Sequence, residues 1–213
     1  MSHLALHVCC GPCMIVPLGQ LLERFDRITV VYANSNIHPQ SEYEKRRDVA
    51  ATFAHQLGAD FVELPYEPLE WFAAIKHHDR RCLGCYEMRL DAVAQWAQNN
   101  NADMVSTVLT ISPYQDAEAI ASIGERVCDT HGVAYLSESF VALYPESITR
   151  SKAEGMYRQK YCGCVYSLEE SLRQQEEKAL RAQARAEEKA QRRHEAEENK
   201  RKKELKREHD RAH

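Results

Sequence analysis

The sequence predicts an α/β fold: a Rossmann-like parallel sheet flanked by helices, followed by a charged C-terminal helical tail. Short apolar, β-branched runs alternate with longer segments of helical pattern up to about residue 136. That alternation is typical of a parallel sheet whose strands are joined by right-handed crossover helices. The composition then changes near residue 167, and large apolar side chains become rare after Leu180.

Apolar runs bounded by turn residues predict five strands, at residues 4–8, 28–33, 60–64, 104–110 and 133–136. Helical periodicity predicts helices at residues 14–25, 41–57, 67–77, 86–98 and 116–131. The second of these opens on the capping-box pattern Ser41-Glu42-Tyr43-Glu44 and is expected to end at Gly58. Because parallel strands end at the same edge of a sheet, the polar loops after the first, second and fourth strands should share one rim.

Charge divides the chain into two predicted domains, residues 1–167 and 168–213. The first carries 14 basic and 20 acidic residues, and the second carries 14 basic and 12 acidic residues. An acidic body is not typical of a protein that binds nucleic acid through its overall charge. RNA contacts are therefore expected from local basic patches or from the tail. The tail is interpreted mainly as a solvated, partly disordered helix, with an RNA-contacting arm as the alternative.

The sequence also favours a cytoplasmic protein without a membrane segment. The first residues lack the basic region and the long apolar run of a secretory signal. No stretch approaches the roughly 18 apolar residues that a membrane span needs. Because the cytosol keeps thiols reduced, tight groups among the eight cysteines indicate metal or redox chemistry more than structural disulfides.

Two of these groups are candidate metal ligands. Cys9 and Cys10 follow the first predicted strand, and Cys82 and Cys85 form a Cys-x-x-Cys pair at the start of a helix. Four thiolates from two segments suit either zinc or an iron–sulfur cluster, and their spacing does not distinguish the two. A thiol–disulfide couple and plain core packing are the remaining alternatives. The isolated Cys128 is interpreted as a core residue.

A third group, Cys162-Gly163-Cys164, lies in a predicted loop. A disulfide closing so short a ring would be strained and easily reduced. That property favours an electron relay, although one or both cysteines completing a metal site is an alternative.

Five ordered motifs resemble the QueH-type epoxyqueuosine reductases. They are Leu6-His7-Val8-Cys9-Cys10-Gly11-Pro12-Cys13, Asn36-Ile37-His38-Pro39, Arg81-Cys82-x-x-Cys85-Tyr86-x-x-Arg89-Leu90, Thr107-x-x-Thr110-x-Ser112-Pro113-Tyr114-x-Asp116 and Tyr161-Cys162-Gly163-Cys164-x-Tyr166-Ser167. No single motif is decisive, but five in order are highly specific. The resemblance covers nearly all of residues 1–167 and excludes the tail.

The resemblance implies a reaction and a set of ligands. It implies reduction of epoxyqueuosine to queuosine in the anticodon wobble position of tRNA, with a 4Fe–4S cluster on Cys9, Cys10, Cys82 and Cys85. It also implies a redox-active pair, Cys162 and Cys164, and an electron donor that the sequence does not identify. An additional mononuclear iron stays open, with Cys13 or Asp116 as the residues to consider.

Other rim residues are candidates for proton transfer and RNA contact. Asp116, Tyr114 and His38 are candidate proton donors, although Asp116 equally suits a helix cap. The candidate phosphate contacts in the body are Arg80, Arg81, Arg150, Lys152, Arg158 and Lys160.

Two rival functions follow from the same residues. One is an ATP-dependent tRNA thiolase, against which stands the absence of a Ser-Gly-Gly-rich phosphate loop after the first strand. The other is a zinc-binding RNA module without catalytic activity, whose four thiolates would look the same in sequence.

Overall fold

The chain folds around a five-stranded sheet in which every strand pair is parallel, with the order β3-β2-β1-β4-β5. The computed structural model describes the backbone of residues 1–211 and the side chains of residues 1–203. The strands are β1 His3–His7, β2 Arg27–Tyr32, β3 Asp60–Glu63, β4 Met104–Thr107 and β5 Ala134–Tyr135. The helices are α1 Gly11–Met14, α2 Pro17–Leu22, α3 Gln40–Gln56, α4 Pro68–Lys76, α5 Arg81–Asn99, α6 Ala117–Thr130, α7 Tyr144–Ala153 and α8 Val165–Arg211.

The predicted fold class is confirmed, and the central strand explains why. All five residues of β1 are buried, because β2 and β4 flank it and helices cover both faces of the sheet. One core cluster packs around Leu4, Leu6 and Met14, and a second packs around Leu90, Val93 and Val105. The chain passes from β1 to β2 on one side of the sheet and later returns through β4 on the other. The carboxyl ends of β1 and β4 therefore mark the topological switch point, where sheets of this kind bind ligands.

Pro17 breaks the first predicted helix into two. We expected one helix over residues 14–25, but the chain forms the short helices α1 and α2, with Pro17 as the first residue of α2. Proline lacks an amide hydrogen and fits the first turn of a helix, so it begins α2 rather than continuing α1.

Two further boundaries differ from the sequence predictions, and one helix was not predicted. Helix α5 begins at Arg81 rather than Tyr86, so the Cys-x-x-Cys pair lies within its first turns. The fourth strand ends at Thr107 and continues as a 3₁₀ turn over Val108–Ile111. Helix α7 was not predicted, because its mixed sequence has few apolar residues and it buries only Ser147 and Ser151.

The chain divides into two compact units, Met1–Val165 and Tyr166–His213. The division falls two residues before the boundary predicted from composition. Within the described part of the second unit, the backbone is helical through Arg211; the last two residues of the predicted tail lie outside the described residues. Among the residues that the structure describes, no helix has the length and apolar content required to cross a bilayer.

Candidate metal centre

Three thiols meet just beyond the carboxyl end of β1. Cys9 and Cys10 follow the strand directly, and Cys13 lies on α1, which turns back over them. The three Sγ atoms lie within 4.8 Å of one another, and those of Cys9 and Cys10 are 3.8 Å apart. We call Cys9, Cys10 and Cys13 the cysteine group. Gly11 lets α1 pack closely against α3, because a Cβ there would come 2.6 Å from Cγ1 of Val49.

The three thiols of the cysteine group differ in how readily they lose a proton. Hydrogen bonds from Cys10 and Cys13 hold the pKa of the Cys9 thiol well below its usual value. Burial raises the pKa of Cys10, and contact with the Cys10 and Cys9 thiols raises that of Cys13. One thiolate is therefore stabilised by two thiol donors, whereas a second or third ionisation is opposed by burial and like charge. A bound cation would remove that opposition, because coordination favours the deprotonated thiol.

The surrounding side chains are polar and fixed. The side-chain amide of Gln159 donates to Cys10 Sγ at 2.9 Å and to Cys13 Sγ at 3.8 Å. His7 is neutral, since burial lowers its pKa to about 3. Its ring nitrogens are held 2.8 Å from Thr107 Oγ1 and 3.3 Å from the carbonyl oxygen of Ala33.

A buried arginine lies among thiols from three segments of the chain. Only 4 % of Arg89 is exposed, and its Nη2 donates to Asn34 Oδ1 at 2.6 Å. Burial lowers the pKa of the guanidinium. The negative charge of nearby cysteine sulfurs has a larger effect and raises that pKa; these cysteines are Cys85, Cys9 and Cys162. Arg89 therefore supplies a permanent positive charge next to sulfur atoms that sequence reasoning had assigned to different motifs.

The predicted ligands Cys82 and Cys85 lie on the first turns of α5. Cys85 is buried and Cys82 is exposed. Burial raises the pKa of Cys82, and the neighbouring Cys85 thiol raises it further. Gly84 keeps this turn close to α4, because a Cβ there would come 2.9 Å from the carbonyl oxygen of Ala74.

The cysteine group has a different membership from the predicted ligand set. Within the described residues, Cys9, Cys10 and Cys13 form the one group of three or more metal-binding side chains at ligand spacing. Cys13 was considered only for an additional mononuclear iron, whereas the structure places its sulfur with those of Cys9 and Cys10. Its place two residues after Gly11 in the first motif was the signal that could have assigned it there. The set of Cys9, Cys10, Cys82 and Cys85 stays a prediction.

The Cys162-Gly163-Cys164 turn forms part of the same site. Both cysteines are free thiols here, so the predicted disulfide is absent from this structure. A hydrogen bond with Cys164 and loss of water around the sulfur raise the pKa of Cys162, although one side of the residue is exposed. Gly163 has a φ of +135°, and a Cβ there would come 3.0 Å from Cγ1 of Ile37. Glycine is therefore required at this position on both grounds.

Arg46 anchors that turn from α3. Its Nη1 donates to the Cys162 carbonyl at 3.0 Å and its Nη2 to the Tyr161 carbonyl at 3.2 Å. Its Nε pairs with Glu42 at 2.7 Å, and the second oxygen of Glu42 accepts a hydrogen bond from Tyr157. The main chain adds a hydrogen bond of 2.8 Å from the His38 amide to the Gly163 carbonyl. The turn is thus held on several sides, and Arg46 and Tyr157 had not been singled out from the sequence.

The candidate proton donors occupy different environments. Asp116 is the N-cap of α6, accepting from the Ala119 amide at 3.1 Å, and pairs with Arg80 at 2.9 Å. The capping interpretation of Asp116 is therefore confirmed. Tyr114 is 85 % exposed. The His38 ring packs against Trp71 and Phe72, and its Nδ1 lies 2.8 Å from the Asn36 carbonyl oxygen.

The cysteine group has the chemistry of a soft-metal site. Three thiol sulfurs converge, a guanidinium balances their charge, and the amide of Gln159 faces two of them. Thiolate ligands select zinc, copper(I) and iron–sulfur clusters over hard cations. The residues present therefore fit an iron–sulfur centre by the nature of their donor atoms.

A parallel sheet with thiols at its switch point defines an α/β protein with a candidate thiolate metal centre. The chain belongs to the epoxyqueuosine reductase QueH family, whose family model matches residues 4–170. The match ends within the first residues of α8, so most of that helix lies outside the family pattern.

Several bacterial members of the family are similar over most of their length. An epoxyqueuosine reductase QueH from Staphylococcus aureus is 35 % identical over 178 residues, covering 76 % of this chain and 74 % of the relative. One from Thermotoga maritima is 32 % identical over 179 residues, covering 79 % and 91 %. One from Streptococcus pyogenes is 35 % identical over 176 residues, covering 76 % and 69 %.

A solved structure shares the fold. It is the U34-tRNA thiolase NcsA from Methanococcus maripaludis with its [4Fe-4S] cluster, which superposes with a TM-score of 0.53 at 13 % sequence identity. The superposition covers 78 % of this chain and 61 % of the thiolase. At this identity the likeness concerns the fold alone.

Proposed function

We propose that this protein reduces epoxyqueuosine to queuosine in the anticodon wobble position of tRNA, at an iron–sulfur centre on the carboxyl edge of the sheet. The observation that carries the proposal is the cysteine group, which brings three thiols together at the switch point of a chain from this family. The proposed partners are a tRNA carrying epoxyqueuosine and a reductant. We place the reaction in the cytoplasm, where thiols stay reduced.

Cys9 and Cys10 are the proposed ligands at the end of β1, and Cys82 and Cys85 on α5 are the proposed ligands opposite them. The shared proximity of Arg89 to the Cys9 and Cys85 thiols supports this pairing of segments. Cys13 is a further candidate ligand, because its sulfur already lies with those of Cys9 and Cys10. The described residues offer no second group of three ligands, and so give no support for an additional mononuclear iron.

The reaction takes up two electrons and two protons: the epoxide oxygen leaves as water, and the two ring carbons become an alkene. A dithiol can supply both, because its oxidation to a disulfide releases two electrons and two protons. We assign that role to Cys162 and Cys164, whose thiols are in hydrogen-bond contact. An external reductant would then restore the dithiol. When bound, iron supplies one-electron transfer and a Lewis acid for the epoxide oxygen.

The protein's own residues prepare the site for this chemistry. Arg89 offsets the negative charge of the surrounding sulfur atoms, and Gln159 orients the thiols of Cys10 and Cys13. Arg46 fixes the turn that presents Cys162, whose Sγ also accepts a hydrogen bond from Gln115 at 3.8 Å. Neutral His7, at the end of β1, adds no charge next to Cys9.

Iron content and turnover test the proposal together. Protein purified without oxygen should contain iron and sulfide, absorb in the visible range, and convert epoxyqueuosine tRNA to queuosine tRNA, measured by mass spectrometry of nucleosides. Cys10→Ala should lose the iron and reduce turnover by at least about 100-fold, because a thiolate ligand is removed. Cys128→Ala is the matched control, because this buried cysteine on α6 is not among the thiols at ligand spacing. This variant should retain both its iron and its turnover.

The rival functions predict other results. Zinc in place of iron, with no reductase activity, would favour the RNA-binding module. Turnover that requires ATP would favour a thiolase, the class that shares the fold. Iron retained in full by Cys10→Ala would contradict the assignment of the metal to this group.

A further inference from the structure

Helix α8 carries its charges on separate faces. From Glu176 to Glu195 we place residues at about 100° intervals around the helix axis. Six basic side chains then occupy one arc of about 120°: Lys178, Arg181, Arg185, Lys189, Arg192 and Arg193. Five acidic side chains occupy another arc of about the same width: Glu176, Glu177, Glu187, Glu188 and Glu195. We call the six basic residues the basic stripe.

The basic stripe is available for binding. All six side chains are exposed. Arg181 and Arg192 form ion pairs with Glu177 and Glu188, the residues four positions earlier. Exposed pairs of this kind contribute little free energy and are readily exchanged for another anion. Over the described residues, the other four stripe residues have no ion pair.

We propose that the basic stripe binds the phosphate backbone of RNA, independently of its sequence. The stripe runs over 16 residues from Lys178 to Arg193, roughly 22 Å of helix, which matches on the order of six nucleotides at about 3.4 Å each. Four of its six residues are arginine, whose planar guanidinium suits phosphate oxygens. The inference rests on the proposed function in one respect, namely that the protein's substrate is an RNA.

Other occupants fit the helix less well. A helix that binds a membrane surface needs a broad face of large apolar side chains opposite or beside its cations. Here the neighbouring arc is acidic, and the exposed leucines of the described helix are limited to Leu172 and Leu180. The family model ends at residue 170, so the stripe is a feature of this chain beyond the family pattern.

Salt dependence of RNA binding tests the proposal. The full chain and its variants are titrated with an unmodified tRNA transcript over a range of salt concentrations. The stripe variant R181Q/R185Q/K189Q/R192Q should bind about tenfold more weakly at low salt. The slope of log affinity against log salt should fall by about 3, since each lost phosphate contact removes roughly 0.7 to 0.9. Glutamine preserves helix propensity, so circular dichroism should stay unchanged.

The acidic arc provides a matched control. The variant E176Q/E177Q/E187Q/E188Q also removes four charges and breaks the same two ion pairs, but it should bind RNA at least as tightly as the parent. Equal affinity and slope in the parent and the stripe variant would overturn the proposal. It would equally be overturned if the stripe variant changed only self-association in sedimentation, because the stripe would then contact a second copy.

The transcript lacks the modified base, so this result does not depend on turnover. If the protein binds RNA with the expected slope but does not reduce epoxyqueuosine, the stripe proposal is supported and the proposed function is contradicted. If the protein reduces epoxyqueuosine but the stripe variant binds RNA like the parent, the proposed function is supported and the stripe proposal is contradicted.

Discussion

At the scale of single residues, the site depends on buried charges that are individually costly. The guanidinium of Arg46 is 1 % exposed and that of Arg89 is buried among thiols, so each requires partners that offset its desolvation. Arg46 has three: the Glu42 carboxylate and the carbonyls of Tyr161 and Cys162. A charge held this tightly fixes the main chain that it binds, which here is the turn carrying the proposed redox cysteines.

Arg46→Met should therefore destabilise the protein by about 3 kcal/mol, because the partly buried Glu42 carboxylate loses its ion pair and two main-chain carbonyls lose their donor. Cys162 should also react faster with iodoacetamide as the turn loosens, measured by mass spectrometry. The control is Arg47→Met on the same helix, whose exposed pairs with Asp48 and Glu63 should contribute less than about 1 kcal/mol. Equal losses in urea denaturation would contradict the anchoring role.

At the scale of elements, the ends of helices position the site. Helix α1 begins at Gly11 and returns Cys13 to Cys9, while α5 begins at Arg81 and brings Cys82 and Cys85 into its first turns. Helix α6 begins at Ala117 and is capped by Asp116, whose carboxylate accepts a hydrogen bond from the Ala119 amide. The Ala119 amide and then Arg80 lower the pKa of Asp116.

This cap makes a pH-dependent prediction. A carboxylate whose folded pKa is lowered stabilises the fold above its unfolded pKa and loses that effect as pH falls through the folded value. At pH 7 the urea midpoint should be highest for the parent, lower for Asp116→Asn and lowest for Asp116→Ala, since asparagine still caps but carries no charge. The parent and Asp116→Asn should converge as the pH falls through the lowered, folded-state pKa of Asp116. A constant difference between them at all pH values would show that the charge is unimportant.

At the scale of the whole molecule, helices cover the sheet at close distances that only small residues permit. Gly124 on α6 packs on β5, where an added Cβ would come 2.2 Å from Cζ of Tyr135. An added Cβ has no steric cost at Gly19 on α2, where no atom would lie within 4 Å of it.

Gly124→Ala should thus destabilise the protein by about 1 to 3 kcal/mol through overpacking, in spite of the higher helix propensity of alanine. Gly19→Ala should instead stabilise it, by up to about 1 kcal/mol, because only the propensity term remains. Chemical denaturation of both variants measures the difference. A stabilised Gly124→Ala would show that α6 packs less closely than the structure gives.

Much of the fold follows from the sequence because its causes are local. Five apolar strands, the stop at Gly58 and the mixed charges of the tail are all patterns of neighbouring residues. The capping-box prediction was wrong, because α3 begins at Gln40 with Pro39 as its N-cap and no side-chain cap hydrogen bond. The predictions were wrong where a local pattern was ambiguous. Pro17 begins α2 within one predicted helix, and the weakly apolar α7 was not predicted. The Cys9–Cys10 and Cys82–Cys85 motifs were recognisable as candidate ligands and were assigned to one cluster, but that the sulfur of Cys13 lies with those of Cys9 and Cys10 was not predicted.

The sequence by itself determined the fold class, the family and the kinds of donor atom at the site. Only the tertiary structure decided that Cys13 joins Cys9 and Cys10, that Arg89 lies among thiols from three segments, and that Arg46 holds the Cys162 turn. The physical reason differs between these contacts. Arg46 and Cys162 are 116 positions apart, whereas periodicity and caps act over a few residues, so no local pattern predicts their contact. Cys13 is close to Cys9 in sequence, but its sulfur meets that of Cys9 only because of the three-dimensional course of α1.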